Sequence, residues 1–200
     1  VVSAWGPASL FQTGIQLRAD ASSWLFSIAI LLVTLSVFLT GLSRSGGPRL
    51  GARASSLLIT AAALAAISAE NLTTLVITWA VLDIVYFVSL LLLARGEGLE
   101  SQAVLSLSLN TIATLLVLAA TLDILNSGKT PFIIGQTAMT ERSVVLMVLA
   151  VVFRLGVFPF HLGLPVEADI RQGLGTLIKL VPAAVALDIL AEILIVSPAL

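Results

Sequence analysis

The sequence contains no cysteine and a single histidine, His161. The first absence excludes disulfides, thiolate metal centres and cysteine nucleophiles. The second leaves too few ligands for a usual zinc or haem site. Charge is scarce as well, with Lys, Arg, Asp and Glu making up 10% of the 200 residues and a formal net charge of -1. A chain without a clustered basic face lacks the electrostatic footprint of a nucleic-acid binder, so no nucleic-acid partner is expected. No glycine-rich phosphate loop follows a strand, no histidine is spaced with acids as metal ligands are, and no nucleophile stands with a base and orienter. Accordingly, no cofactor, no metal site and no catalytic redox residue is expected in this chain.

What the sequence has in excess is apolar side chains, which form 58% of it. That leaves too little polar surface to cover a soluble globule. Buried helices of soluble proteins carry apolar runs of about 10 to 14 residues, whereas several runs here reach the roughly 18 or more that cross a bilayer. Helix breakers and polar residues divide the chain into spans at 22–42, 54–69, 72–94, 102–125, 143–160 and 173–196. The fold expected is therefore an all-α integral membrane bundle of about six transmembrane helices, with residues 1–200 forming one transmembrane domain. Residues 1–20 read as an exposed approach, with Asp20 or Ser22 placed to cap the first helix. The chain begins Val1-Val2, and its first apolar run lacks the basic flank and small-residue cleavage site of a signal peptide. It reads as a fragment of a longer subunit.

Ionisable residues inside the hydrocarbon cost about 2.5 to 3.5 kcal/mol each at a helix centre on insertion scales, so they are functional candidates. Asp83 and Arg154 fall well inside their spans, and Lys179 lies in the first half of the last. Asp188 and Glu192 follow on that same helix, one turn apart on one face, with Lys179 facing away from them. Exposure of that pair to lipid would be costly, which points to neighbouring subunits. Arg154 sits five residues before Pro159 and seven before His161. Proline removes a backbone donor, so the fifth span should break near Phe158. His161 has an unperturbed pKa suited to proton relay. Asn110 reads as a cross-helix hydrogen bonder, Asp123 as interfacial and Glu70 as a further acid between the second and third spans.

Three stretches resemble the antiporter-like, proton-translocating membrane subunits of respiratory complex I, a family shared with multisubunit cation/proton antiporters. Arg18-Ala19-Asp20-Ala21-Ser22-Ser23-Trp24-Leu25-Phe26 is similar to the entry of that family's third helix. Ser68-Ala69-Glu70-Asn71-Leu72 followed by Trp79 resembles its Ala-Asp-Asn-Leu connection and fifth-helix Trp-Glu pair. The run from Phe153 to Pro165, with Arg154, Pro159, Phe160 and His161, resembles its Phe-Lys, Pro-Phe-His and Leu-Pro series on a broken seventh helix. The resemblance implies that the six spans match helices three to eight of a fold with about fourteen, and that the chain spans less than half of a full member.

It also implies a function. Members carry a proton half-channel made of a glutamate on the fifth helix, a lysine on the seventh and a lysine or histidine on the eighth. Here those positions read Ala80, Arg154 and Ala183, with Asp83 and Lys179 about one turn away as displaced substitutes. The expected relay is Asp83, Arg154, His161 and Lys179, with Glu70, Asp188 and Glu192 as secondary candidates. Arginine remains protonated, so Arg154 cannot hand on a proton as lysine does. The implied setting is an energy-transducing membrane such as the bacterial plasma membrane, within a multisubunit NADH-quinone oxidoreductase or related translocase moving protons or monovalent cations. Non-conducting membership of such a complex, or a cation/proton antiporter subunit, is the alternative.

Orientation follows from charge. Short loops rich in Lys and Arg stay on the cytoplasmic side, and residues 43–53 hold Arg44, Arg49 and Arg53 with no acid. With that loop inside, Arg95 and Arg171 are also inside, against Arg18, Lys129 and Arg142 outside. Cysteines introduced singly at Ser45 and Ser127 of this cysteine-free chain test the assignment in intact cells. An impermeant maleimide should label the second and not the first, and the opposite pattern would reverse the topology.

Overall fold

The computed structural model describes residues 14–42, 50–93, 99–131, 139–156 and 174–196. Six helices account for most of them: α1 (Ala21–Leu42), α2 (Leu50–Ile67), α3 (Leu72–Leu93), α4 (Leu99–Asn126), α5 (Glu141–Leu155) and α6 (Leu174–Val196). No strand is present among the described residues; an isolated antiparallel bridge joins Leu17 and Ala69. Four helices, α1 to α4, are long and apolar enough to cross a membrane. At about 1.5 Å per residue α6 also has the length. With its 15 residues, α5 is shorter than a complete crossing requires.

Consecutive helices pack side by side, and α6 closes the ring by packing on α5, α1 and α2. These helices are apolar on nearly all faces, as membrane helices are, so burial is decided by small residues and by polar pairs rather than by an apolar stripe. Ala62, Ala63 and Ala66 of α2 are buried, small enough to let α3 and α6 approach closely. Thr34 of α1 and Thr60 of α2 share a buried hydroxyl contact of 2.9 Å. Outward positions such as Leu25, Leu39, Ile84, Leu92 and Leu115 stay exposed, where lipid would meet them.

The helix ends explain themselves residue by residue. Asp20 caps α1 through a 2.8 Å bond from the Ser23 backbone N–H, and the hydroxyls of Ser22 and Ser23 donate to the same carboxylate oxygen. Asn71 caps α3, its side-chain oxygen accepting from the Thr74 N–H at 2.7 Å. At the end of α4, Gly128 takes a positive φ of 73° while Gly128 and Lys129 donate back to Leu125 and Ile124. Thr140 caps α5 by accepting from the Ser143 N–H at 3.1 Å, and its hydroxyl donates to Asp123.

One expectation changes. The fifth helix does not run on to Phe160: it stops at Leu155, where Gly156 adopts a left-handed φ of 61° and returns its N–H to Phe153 and Val152. Glycine ends the helix before proline has the chance to, because only glycine enters that conformation without a Cβ clash. Pro159 and its break, and His161, lie outside the described residues. The approach to α1 is exposed over residues 15–19, as expected, and is held in place by hydrogen bonds. Residues 14–20 lie against the 68–71 connection, with Arg18 N–H on the Ser68 carbonyl (2.7 Å), Glu70 N–H on Gln16 (3.0 Å) and the Asn71 amide on Gly14 (2.9 Å).

Burial alone would raise the Asp20 carboxyl, but the hydrogen bonds from Ser23 and Ser22 outweigh it and hold the group below its usual range. A depressed carboxyl stabilises the fold above its unfolded value of about 3.9 and loses that contribution as pH falls through the folded value. Asn caps a helix as well as Asp but carries no charge. The melting midpoint of Asp20→Asn in detergent should therefore lie below that of the parent at neutral pH, and the gap should close as the pH is lowered beneath the carboxylate range.

Candidate functional site

A guanidinium cannot shed its charge, so a buried arginine must be neutralised where it stands. Arg154 is fully buried in the last turn of α5, and its partner is Asp83 of α3, itself 5% exposed. One Arg154 terminal nitrogen donates to Asp83 Oδ1 at 2.6 Å and the other approaches Oδ2 at 3.4 Å. The Thr114 hydroxyl of α4 donates to Oδ2 at 2.9 Å. Trp79, one turn before Asp83 on α3, lies with its ring centroid 4.1 Å from the guanidinium carbon, a cation–π contact. Three helices thus converge on one charge pair.

Beside this pair is a cavity of about 90 Å³ lined by Tyr86, Ser106, Asn110, Arg154, Lys179 and Ala183, among others. That is space enough for water. The hydroxyls of Tyr86 and Ser106 belong to residues of its wall. Pro182 of α6 also lines it. Proline has no N–H, so the carbonyl one turn back, at Ile178, is relieved of its helical donor and can accept from elsewhere. Groups able to carry or accept a proton therefore surround the space between Arg154 and Lys179.

The sequence-derived candidates separate into three places. Asp83 and Arg154 meet directly, Lys179 reaches the same cavity, and Asn110 lines it. Glu70 stands apart at the α2–α3 connection, 3.7 Å from Arg18 in a solvent-facing pair. Asp188 and Glu192 form a third location on α6, and here an expectation is corrected. They are not exposed to lipid: Asp188 is 0% and Glu192 4% exposed, shielded by the chain's own helices. The need for neighbouring subunits therefore does not follow from them.

Thr114, Tyr86 and Ser106 were not singled out by the sequence, since a hydroxyl in an apolar helix usually bonds its own preceding turn. Thr121, fully buried, does so, donating to Val117. Only the facing carboxylate sets Thr114 apart. Comparison of the chain with family models, with curated proteins and with solved structures finds no match.

The two threonines make a controlled pair. Thr114→Val removes a donor from a buried carboxylate and should destabilise by about 1 to 3 kcal/mol. Thr121→Val removes a hydroxyl whose acceptor already has a helical partner, and should cost less than about 1 kcal/mol. Unfolding midpoints in one detergent compare them directly.

Proposed function

We propose that this chain is a membrane subunit of a proton-translocating energy-converting complex, of the kind represented by respiratory NADH-quinone oxidoreductase, in which Lys179 is the proton-exchanging group. The supporting observation is the cavity that Lys179 lines together with Arg154 of the ion pair. Ala183, at the position where the resembled family carries a lysine, lines the same cavity as Lys179 one turn earlier. A lysine displaced by one turn thus reaches the same space.

In this reading Arg154 is no carrier. It is a fixed charge, held by Asp83 and Trp79, that shapes the electrostatics of the cavity. Lys179 takes and releases a proton there through water, with Tyr86, Ser106 and Asn110 as neighbours. Conformational work would come from redox chemistry in partner subunits, because this chain carries no cofactor motif. A second reading has an observation of its own. The same locked ion pair suits a non-conducting structural subunit, in which buried charge serves helix packing.

Vesicles carrying the assembled complex separate the two. Lys179→Gln keeps length and polarity but cannot exchange a proton, and should reduce proton uptake by about 100-fold or more, the usual size of a lost acid–base group. Unchanged uptake, with the complex intact, would favour the structural reading.

A further inference from the structure

At the other end of α6 from Lys179, Asp188 and Glu192 lie one turn apart, their Cβ atoms about 5 to 6 Å from each other. Both are more than nine-tenths buried. Both oxygens of Asp188 and Oε2 of Glu192 have no hydrogen-bond partner. Neither residue belongs to the site around Arg154. An ionised carboxylate in such a place, without donor or counter-ion, is among the costliest arrangements a protein can hold.

Among the described residues the groups that act electrostatically on the pair are carboxylates, and Arg18, two residues before Asp20, is paired with Glu70. From α1 the facing group is Asp20, a third carboxylate, close enough to act electrostatically on both acids. From α2 the only charged side chain is Arg53, in its first turn at the far end. On α5 the charged residues are Glu141, Arg142 and Arg154. Arg154 is committed to Asp83, and Glu141 and Arg142 line a separate pocket with Asp123 and Asn126 against α4. On α6 itself, Lys179 is nine residues from Asp188, half a revolution round the helix. Among the described residues no group of three metal-ligating side chains gathers to hold a cation.

We infer that Asp188 and Glu192 are a proton-binding site, a buried carboxylate pair on α6 that takes up and shares protons rather than a metal ion. A carboxylic acid donates one hydrogen bond as well as accepting, so a proton placed between the two gives two of the three unpartnered oxygens a partner. The inference stands whether or not Lys179 transports protons, because it rests on burial and missing donors alone.

Infrared difference spectroscopy of the protein in lipid vesicles tests it. At neutral pH the parent should show the carbonyl stretch of protonated carboxylic acid, shifted by carbon-13 labelling of aspartate. That band should weaken in Asp188→Asn and in Glu192→Gln, vanish in the double variant, and ignore added sodium or potassium. Absence of the band in the parent, its survival in the double variant, or its loss on adding sodium would each overturn the assignment. The labelled parent answers even if a variant fails to fold.

Discussion

One permanent charge in an apolar interior constrains this bundle more than any other feature. Arg154 cannot be neutralised by losing a proton, so the fold must bring a carboxylate to it. Asp83 meets it at 2.6 Å, Thr114 holds the carboxylate's second oxygen, and Trp79 lies 4.1 Å from the guanidinium carbon. The consequence is architectural. Helix α3 packs equally on α2 and α4, α5 packs chiefly on α4, and the ion pair ties α3 and α5 to each other across α4. Breaking such a pair by removing one partner strands a buried charge, and that typically costs about 3 to 5 kcal/mol.

A fixed charge pair also divides the labour along α6. Near its start, Lys179 opens on a cavity whose far wall is Arg154, with Pro182 relieving a backbone carbonyl there. Nearer its end, Asp188 and Glu192 are buried among helices that offer them no donor. Basic and acidic groups thus occupy opposite ends and opposite faces of one helix. The arrangement suits a membrane protein in which proton-binding groups are kept apart by packed apolar layers, and it underlies the proposal that the subunit takes part in proton movement.

Much of this architecture was written in local patterns. Apolar runs gave the helices, and Asp20 before one of them gave its cap, because capping needs only the right side chain at the right offset. Residues buried in hydrocarbon were legible as candidates for the same reason that makes them rare. The partnership of Asp83 with Arg154 was implied only through the resemblance of Trp79 and the Phe153 to Pro165 run to a known family, since 71 residues separate the two. The end of α5 was misplaced because proline draws the eye, while Gly156, three residues earlier, already accepts the left-handed turn. The docking of residues 14–20 on the 68–71 connection was not foreseen, since its backbone hydrogen bonds are made by any sequence and its side-chain contacts, Asn71 on Gly14 and Arg18 on Glu70, join residues far apart in the chain. The shielding of Asp188 and Glu192 was equally hidden, because a helix alone does not tell which of its faces its neighbours cover.

The account depends on Arg154 and Asp83 acting as one unit, and a double-mutant cycle measures that most directly. Asp83→Asn, Arg154→Gln and the combined variant would be unfolded by denaturant in the same lipid or detergent. The account predicts a coupling energy of roughly 2 to 3 kcal/mol, with the double variant more stable than the sum of the single losses allows. Losses that add to within about 0.5 kcal/mol would contradict it, for then the charge would be neutralised elsewhere.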